Sequence, residues 1–408
     1  MKKTYFLLVL VIFSCSKTTR DPIEWSSIEK DLQAKFITAS DSSVINLPEG
    51  NFMFSRSLLI DGKKQITIRG AGAQKTLLSF AAQKEGAEGL KISNCENIVL
   101  ERFTIEDAKG DNIKATDTRG ITFRNVISRW SGKPKEENGA YAFYPVLCKN
   151  VLIENCIAIG SSDAGIYVGQ SDSVIIRNNI VHHNVAGIES ENSKWVEIYK
   201  NEAYENTGGI LIFDLPGLTQ YGHTTRVYQN RVYDNNYRNF APKGNIVAAV
   251  PPGTGMMLLA TRNINIFKNE IKNNKTIGIA IASYDLVEAM SATEEESQIN
   301  ENIAAARQDL DYDPYPNNIF IYENNISNNH WIPSLSSDFG LLFLTKFPFN
   351  TPDIVWDGIV PDRQTFEFCM NENGEITFGD LDAANNFEEL TTDYSTFDCQ
   401  SEKIEPIF

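Results

Sequence analysis

The feature that most constrains this chain is a repeat. Gly165-Ile166 recurs as Gly187-Ile188 and again as Gly209-Ile210, 22 residues on each time. Val174-Ile175-Ile176 recurs as Val196-Glu197-Ile198. A third phrase, Asn-x-(Ile/Val/Ala)-x-x-Asn, starts at Asn179, Asn201, Asn230, Asn269 and Asn324. A period of this length means stacked units that share one continuous core. The 408 residues therefore do not divide into two or three ordinary domains.

Each copy holds three short strands: one after the Gly, one with the pattern Ile-x-Ile, one inside the Asn phrase. Three strands per coil of about 22 residues is the signature of a parallel β-helix. The expected fold class is all-β. Alternation turns Ile166, Val168, Val174, Ile176 and Val181 inward. The Asn residues suit left-handed turns and can bond their neighbours one coil away, so they read as scaffold. Cys95, Thr118, Cys148, Ser171 and Ser193 share a column of small residues. Cys95 and Cys148 stand two coils apart on this register, too far to bridge at about 4.8 Å per coil. With Cys156 they are small core or turn residues. Cys369 and Cys399 lie in a separate C-terminal segment, where a disulfide would staple a loop-rich cap.

The organisation follows. Residues 1–15 carry Lys2-Lys3, an apolar run from Tyr5 to Phe13, and Ser14-Cys15. This is a secretory signal, too short for a membrane span. Its end resembles a bacterial lipobox, which makes Cys15 the lipidation site; a plain secreted protein with another cleavage point is the alternative. The mature protein is expected to touch the membrane only through that anchor, on the periplasmic side or the outer surface, or to be secreted. Residues 16–27 form a linker. Ile28, Leu32 and Phe36 have helical spacing and would cover the open end of the solenoid. Residues 28–345 hold this N-terminal cap and the β-helix, with insertions near 213–225, 236–253 and 285–316. The last insertion is expected to be helical over 286–310. Coil pattern resumes at Ile319 and at Gly340-Leu341-Leu342-Phe343, and residues 346–408 form a C-terminal cap. The first and third insertions leave at the same turn, and insertions in a solenoid tend to build one functional wall.

Charge narrows the partners. Lys plus Arg total 37 against 53 Asp plus Glu, a net charge of -16. That argues against nucleic acid, which needs a basic footprint. It leaves room for a polyanionic glycan in a local basic groove. Four histidines argue against a His-rich metal site. The outward column after Ile-x-Ile reads Glu101, Arg124, Glu154, Arg177, then Tyr199, Tyr228, Phe267 and Tyr322. The first half is a ladder of ion pairs. The second is either a stacked ladder that stiffens the sheet or a platform for sugar rings, with Glu197 beside it. Tyr199, Tyr228, Glu197 and Phe267 are thus the substrate-binding candidates.

An acidic group follows the repeat glycines. Glu189 and Glu191 share a strand face, and Asp214 lies one coil up. They form a solvated strip, a Ca²⁺ site with Asn192 as a further oxygen ligand, or an acid–base pair. The first insertion brings Tyr221, His223 and Arg226 to this edge. Proton abstraction beside a uronic-acid carboxylate needs a cation, a base and an acid, and these three residue types supply them. Glu189, Glu191, Asp214, His223 and Arg226 are expected to converge in one cleft. Of His182 and His183, alternation exposes only one.

Several phrases carry a resemblance: Ile66-Thr-Ile-Arg-Gly-Ala-Gly72, Gly86-Ala-Glu-Gly-Leu90, Gly187-Ile-Glu-Ser-Glu-Asn-Ser193, Gly208-Gly-Ile-Leu-Ile-Phe-Asp-Leu-Pro-Gly217 and Asn239-Phe-Ala-Pro-Lys-Gly-Asn245. The chain resembles right-handed parallel β-helix proteins of the pectate lyase-like class, and more closely a bacterial family of secreted parallel β-helix-domain proteins. The resemblance implies a right-handed coil and supplies no catalytic residue. The Asp-Pro-His-Asp motif of mannuronan C-5 epimerases, which share this fold, is missing; Asp313-Pro314-Tyr315 is the nearest string. The expectation is a protein directed at polysaccharide or a cell-surface glycan, a uronan lyase or epimerase. The alternative is a non-catalytic surface lipoprotein that binds glycan or protein. A monomer is expected, with calcium the one cofactor the residues suggest.

Overall fold

In a computed structural model, residues 25–291, 308–328, 330, 332–361 and 366–408 are described. The signal segment with Cys15, the linker to residue 24 and the stretch 292–307 of the expected long helix lie outside these residues.

The described chain winds into three parallel sheets of 11 strands each. We call them the Gly, Ile and Asn sheets after the phrases that build them. The Gly sheet runs from Arg56–Asp61 to Phe378–Asp380, the Ile sheet from Val44–Asn46 to Phe368–Asn371, and the Asn sheet from Trp25–Ser26 to Asn325–Ser327. Register aligns like with like. Ile166 pairs with Ile188 and Ile188 with Ile210. Val174 pairs with Val196, and Val181 with Ala203. These side chains are fully buried and fill the lumen.

Two asparagine ladders hold the turns. Asn179, Asn201, Asn230 and Asn269 each donate a backbone N–H to Oδ1 of the next asparagine at 3.0 Å, and Asn324 carries the ladder on to Asn373 at 3.1 Å. Each Nδ2 also donates 2.9 Å to a strand carbonyl such as Ile153 or Ile176. A second ladder runs through Asn184, Asn206, Asn235, Asn274 and Asn328. Buried backbone groups at a turn have no sheet partner, and the amide side chain gives them one. Cys156 stands where the first ladder would begin, and its N–H donates to Asn179 Oδ1 at 2.9 Å. Cys95, Cys148 and Cys156 are buried free thiols.

The ends differ in part from expectation. The helix Glu29–Thr38 buries Leu32 and Phe36 over the first coils. Residues 340–343 are not a strand but part of the helix Asp338–Lys346. Phe339, Phe343 and Phe347 recur at helical spacing, and Ser337 Oγ caps the start by accepting from Gly340 N–H at 3.2 Å. This helix packs Phe343 and Phe347 onto Ile277, Ala280 and Val355 of the Gly sheet. The solenoid also passes residue 345: Ile354–Trp356, Phe368–Asn371 and Phe378–Asp380 add rungs to two sheets. A disulfide joins Cys369 to Cys399 and ties the C-terminal segment to the last Ile-sheet strand.

The departures from the coil flank one sheet. Residues 130–142, 234–253 and 328–353 interrupt the turn from the Asn sheet into the Gly sheet. Residues 214–222, 283–316 and 357–367 interrupt the turn out of it. Both edges of the Gly sheet are therefore raised. Leu215, Phe240, Ile246, Val247, Tyr284 and Tyr312 from these segments roof its outer residues Leu211, Phe213, Leu259 and Ala282.

Candidate functional site

The roof defines the site by where it stops. The central outward column of the Gly sheet reads Lys91, Lys114, Tyr144, Tyr167 and Glu189, then Leu211, Met257, Ala280 and Val355. It turns from polar to apolar between Glu189 and Leu211. An apolar outward position is stable only when covered, and the insertions cover those rungs. Of the polar rungs, Tyr167 and Glu189 are buried as well, and Lys91, Lys114 and Tyr144 are half-buried and form the accessible face.

Three tyrosines cluster on that face. The rings of Tyr141 and Tyr144 lie 4.5 Å apart, Tyr141 and Tyr167 4.5 Å, and Tyr144 and Tyr167 4.9 Å. Lys114 Nζ sits 4.5 Å from the centre of the Tyr144 ring, a cation–π contact. Tyr167 is folded over Gly169, where a Cβ would meet the ring at 2.4 Å. Glycine at 169 thus lets the phenol lie along the strand and donate to Glu191 Oε1 at 2.6 Å. Tyr141 OH donates to Asp163 Oδ2 at 3.2 Å.

Beneath the tyrosines the carboxylates crowd. Asp163 and Glu189 are buried, and Glu191 is half-buried at the rim. Asp163 Oδ1 and Glu189 Oε2 have no partner as bare carboxylates. One proton held between the two side chains makes Glu189 the donor and Asp163 the acceptor. Burial, then repulsion from Glu191, raises Asp163 to about 7, with the bonds from Tyr141 and Glu189 acting against them; burial, then repulsion from Asp163 and Glu191, pushes Glu189 well above the usual carboxylate range. Burial also raises Glu191, and the Tyr167 bond only partly opposes it. Asp111 at the open end is raised to about 6 by burial, with Lys114 acting against it. Asp163 and Glu191, both raised to about 7, are suited to giving and taking protons near neutrality.

Asp214 lies just past this group. Its Oδ1 accepts from Gly222 N–H at 2.7 Å, and Arg262 Nη2 stands 3.6 Å from Oδ2. Burial raises it to about 7 against both, and Glu191 adds repulsion. Arg262 also reaches Asp313 at 4.0 Å, which places Asp313-Pro314-Tyr315 in the same wall.

The other expected residues part company. Tyr221 donates to Asp309 in the third insertion. His223 Nδ1 lies 2.8 Å from Thr224 Oγ1, and its ring meets Trp195 edge-on. Arg226 pairs with Glu197 at 2.7 Å on the Ile sheet. Each has its own partners, so the five-residue cleft reduces to Glu189 and Glu191 with Asp214 at its edge. Nor do Glu189, Glu191 and Asp214 gather as a cation cage. Among the described residues, the group of three with ligating atoms all within 4.8 Å is His182, His183 and Glu205. Glu191 instead accepts from Tyr167, and Asp214 from Gly222 N–H.

The aromatic ladder of the Ile sheet exists and is covered. Tyr199 and Tyr228 stack at 4.8 Å, Tyr228 and Phe267 at 4.8 Å, and Phe267 and Tyr322 at 5.0 Å. The C-terminal segment crosses it: Ile404 N–H donates to Asn265 Oδ1 at 2.9 Å, and Ile407 N–H to Glu197 Oε1 at 3.0 Å. The ion-pair half of that column stays open, with Arg124 and Arg177 each 2.6 Å from Glu154.

Residues 57–218 match the family model described as right handed beta helix region. The protein is a right-handed parallel β-helix. Among solved structures it is similar to the A-module of mannuronan C-5 epimerase AlgE4 of Azotobacter vinelandii, with 12% identity, TM-score 0.52, and 85% of this chain and 90% of that one covered. The A-module of AlgE6 from the same organism gives 13% identity, TM-score 0.52, and 85% and 89% covered. At such identity the likeness is one of fold. No curated protein matches the sequence significantly. Among the described residues of this β-helix, no helix is long and apolar enough to cross a membrane.

Proposed function

We propose that the β-helix takes a polysaccharide along the unroofed half of the Gly sheet and exchanges protons with it, as a uronan lyase or epimerase. The observation that carries this reading is the Asp163–Glu189–Glu191 group under Tyr141, Tyr144 and Tyr167, bounded by walls on both sheet edges. Tyrosine faces pack on sugar C–H faces. Lys114 would neutralise a uronate carboxylate, which acidifies the adjacent carbon-bound proton. Glu191, made more basic by burial, would accept that proton. The Tyr167 hydroxyl, bonded to Glu191 and so on the same side of the sugar, would supply one to the leaving glycosidic oxygen and recover one from the protonated Glu191, a syn elimination; epimerisation would need a separate donor on the far face. The similar A-modules come from proteins named mannuronan C-5 epimerases, which supports a uronan as the first substrate to try. Lipidation at Cys15 would present the walled face at the cell envelope.

The test is incubation with a panel of uronic-acid polysaccharides, following ultraviolet absorbance of unsaturated product and sugar configuration by NMR. Turnover that falls by about 10²-fold or more in Tyr167→Phe and Glu191→Gln supports the reading. Turnover untouched by both variants refutes the residue roles. Binding without turnover on any uronan favours the second reading, a non-catalytic glycan-binding protein. One observation speaks for that alternative: Asp163 and Glu189 are buried beneath the tyrosines and only Glu191 reaches the rim.

A further inference from the structure

Four scattered histidines gave no reason to expect a metal site. The fold brings two of them together. Neighbouring side chains of a strand point to opposite faces, but His183 has φ +60°, a left-handed turn that ends the strand Ile180–His182. Both imidazoles therefore emerge on the same side, with their Nδ1 atoms 2.7 Å apart. Glu205 follows in the next coil: His183 N–H donates to Glu205 O at 3.0 Å, and Glu205 Oε2 lies 3.6 Å from His183 Nδ1.

We propose that His182, His183 and Glu205 bind a divalent transition-metal ion, Zn²⁺ or Cu²⁺, at the turn from the Asn sheet to the Gly sheet. Two imidazoles and one carboxylate form a nitrogen-rich set that these ions prefer over Ca²⁺ or Mg²⁺. On a tetrahedral Zn²⁺ at about 2.0–2.1 Å from each nitrogen, two ligand nitrogens lie roughly 3.3 Å apart, so a slight opening of the rings admits the ion. The rings are already held in place. Tyr204 stacks on His182 at 5.0 Å and 14°, and Tyr237 leans on His183 at 5.4 Å. Such outer support orients metal-binding imidazoles. Both histidines are half-exposed and Glu205 is exposed, so an ion has access. The next residue up the column is Asp234, whose carbonyl accepts from Glu205 N–H at 3.2 Å; its exposed carboxylate offers a further oxygen. The coil below places Gly160 under His183, which leaves that side free of a bulky side chain.

The experiment uses the full chain freed of metal by chelator dialysis. ZnCl₂ is titrated by calorimetry, and Cu²⁺ is added for paramagnetic resonance. One ion per chain is expected, with a copper spectrum split by two imidazole nitrogens. Glu205→Gln should weaken binding by about tenfold or more. His182→Gln with His183→Asn should abolish the site and the nitrogen splitting; asparagine tolerates the left-handed backbone at 183, so the coil is preserved. Unchanged circular dichroism confirms that. Equal affinity and an unchanged copper spectrum in the double variant overturn the proposal, as does the absence of wild-type binding below millimolar metal.

Discussion

Asp214→Asn tests the electrostatics of the wall that closes the candidate site. Asp214 is fully buried, and burial raises its carboxyl from 3.8 to about 7 despite the Gly222 bond and Arg262. A carboxyl raised in the folded state favours folding below its unfolded value and loses that contribution as pH climbs through the folded one. The window thus runs from about pH 4 to above pH 7. A shift of about three units corresponds to roughly 4 kcal/mol, an upper bound because Arg262 remains partly exposed. Asparagine mimics the protonated acid: its Oδ1 can still accept from Gly222 N–H. At pH 5, already inside that window, the variant should therefore be more stable by about 1–2 kcal/mol, and at pH 9 by about 2–4 kcal/mol. Urea unfolding followed by circular dichroism at the two pH values measures the difference. A variant that loses more stability at pH 9 than at pH 5 would refute the reasoning. It would mean that the pair with Arg262 outweighs burial and that the ionised form holds the wall.

Three further outcomes follow from the scaffold. Asn201→Ala removes acceptance from the Asn179 backbone and the bond to the Ile176 carbonyl, both in buried surroundings; a loss of about 2–5 kcal/mol is expected in urea unfolding. Deleting residues 403–408 removes the bonds to Asn265 and Glu197 and uncovers Tyr228 and Phe267. Stability should drop by about 2–4 kcal/mol, and only the shortened chain should bind oligosaccharide through Tyr199, Tyr228 and Phe267, seen as quenching of Trp195 fluorescence. Cys369→Ser opens a loop spanning a separation of 30 residues. Chain entropy predicts a cost of about 3–4 kcal/mol, read as a lower melting temperature that added reductant reproduces in wild type.

The repeat was legible because a solenoid uses the same residue type at the same place in every coil. Asn179, Asn201 and Asn230 appear in the sequence at the spacing at which they bond in space. Glu189 and Glu191 were legible as a pair for the same reason. Asp163 was not, because it precedes its strand and meets Glu189 only through the packing of neighbouring coils. Lys114 was hidden by the interruption at 130–142, which stretches its spacing to Tyr144 to 30 residues, while Tyr144 keeps a regular spacing of 23 to Tyr167. The histidine pair failed a rule that is sound inside a strand; His183 sits one residue beyond the end of one. Residues 340–343 failed the opposite way: a Gly-Leu-Leu-Phe string fits a strand, and only the Phe339–Phe343–Phe347 spacing and Ser337 reveal the helix.

A parallel β-helix fixes pitch and register, so the sites it can build are set by its outward columns and by what covers them. Here the two aromatic columns have opposite fates. The Ile-sheet ladder is stacked for its full length and lies beneath the C-terminal segment, which meets it through Asn265, Glu197 and the Lys403 contact with Tyr322 at 4.4 Å. Stacked rings under a strap satisfy one another. The tyrosines over the Gly sheet meet at angles of 36° to 84°, and two of them, Tyr141 and Tyr167, spend their hydroxyls on carboxylates. Rings set that way do not fill each other's faces, and acids left beneath them raise the free energy of the empty face. A ligand that brings a flat apolar surface and exchangeable protons would relieve both conditions at once. The unroofed half of the Gly sheet is therefore the part of the surface that gains most from an occupant, and the roof ends where that half begins.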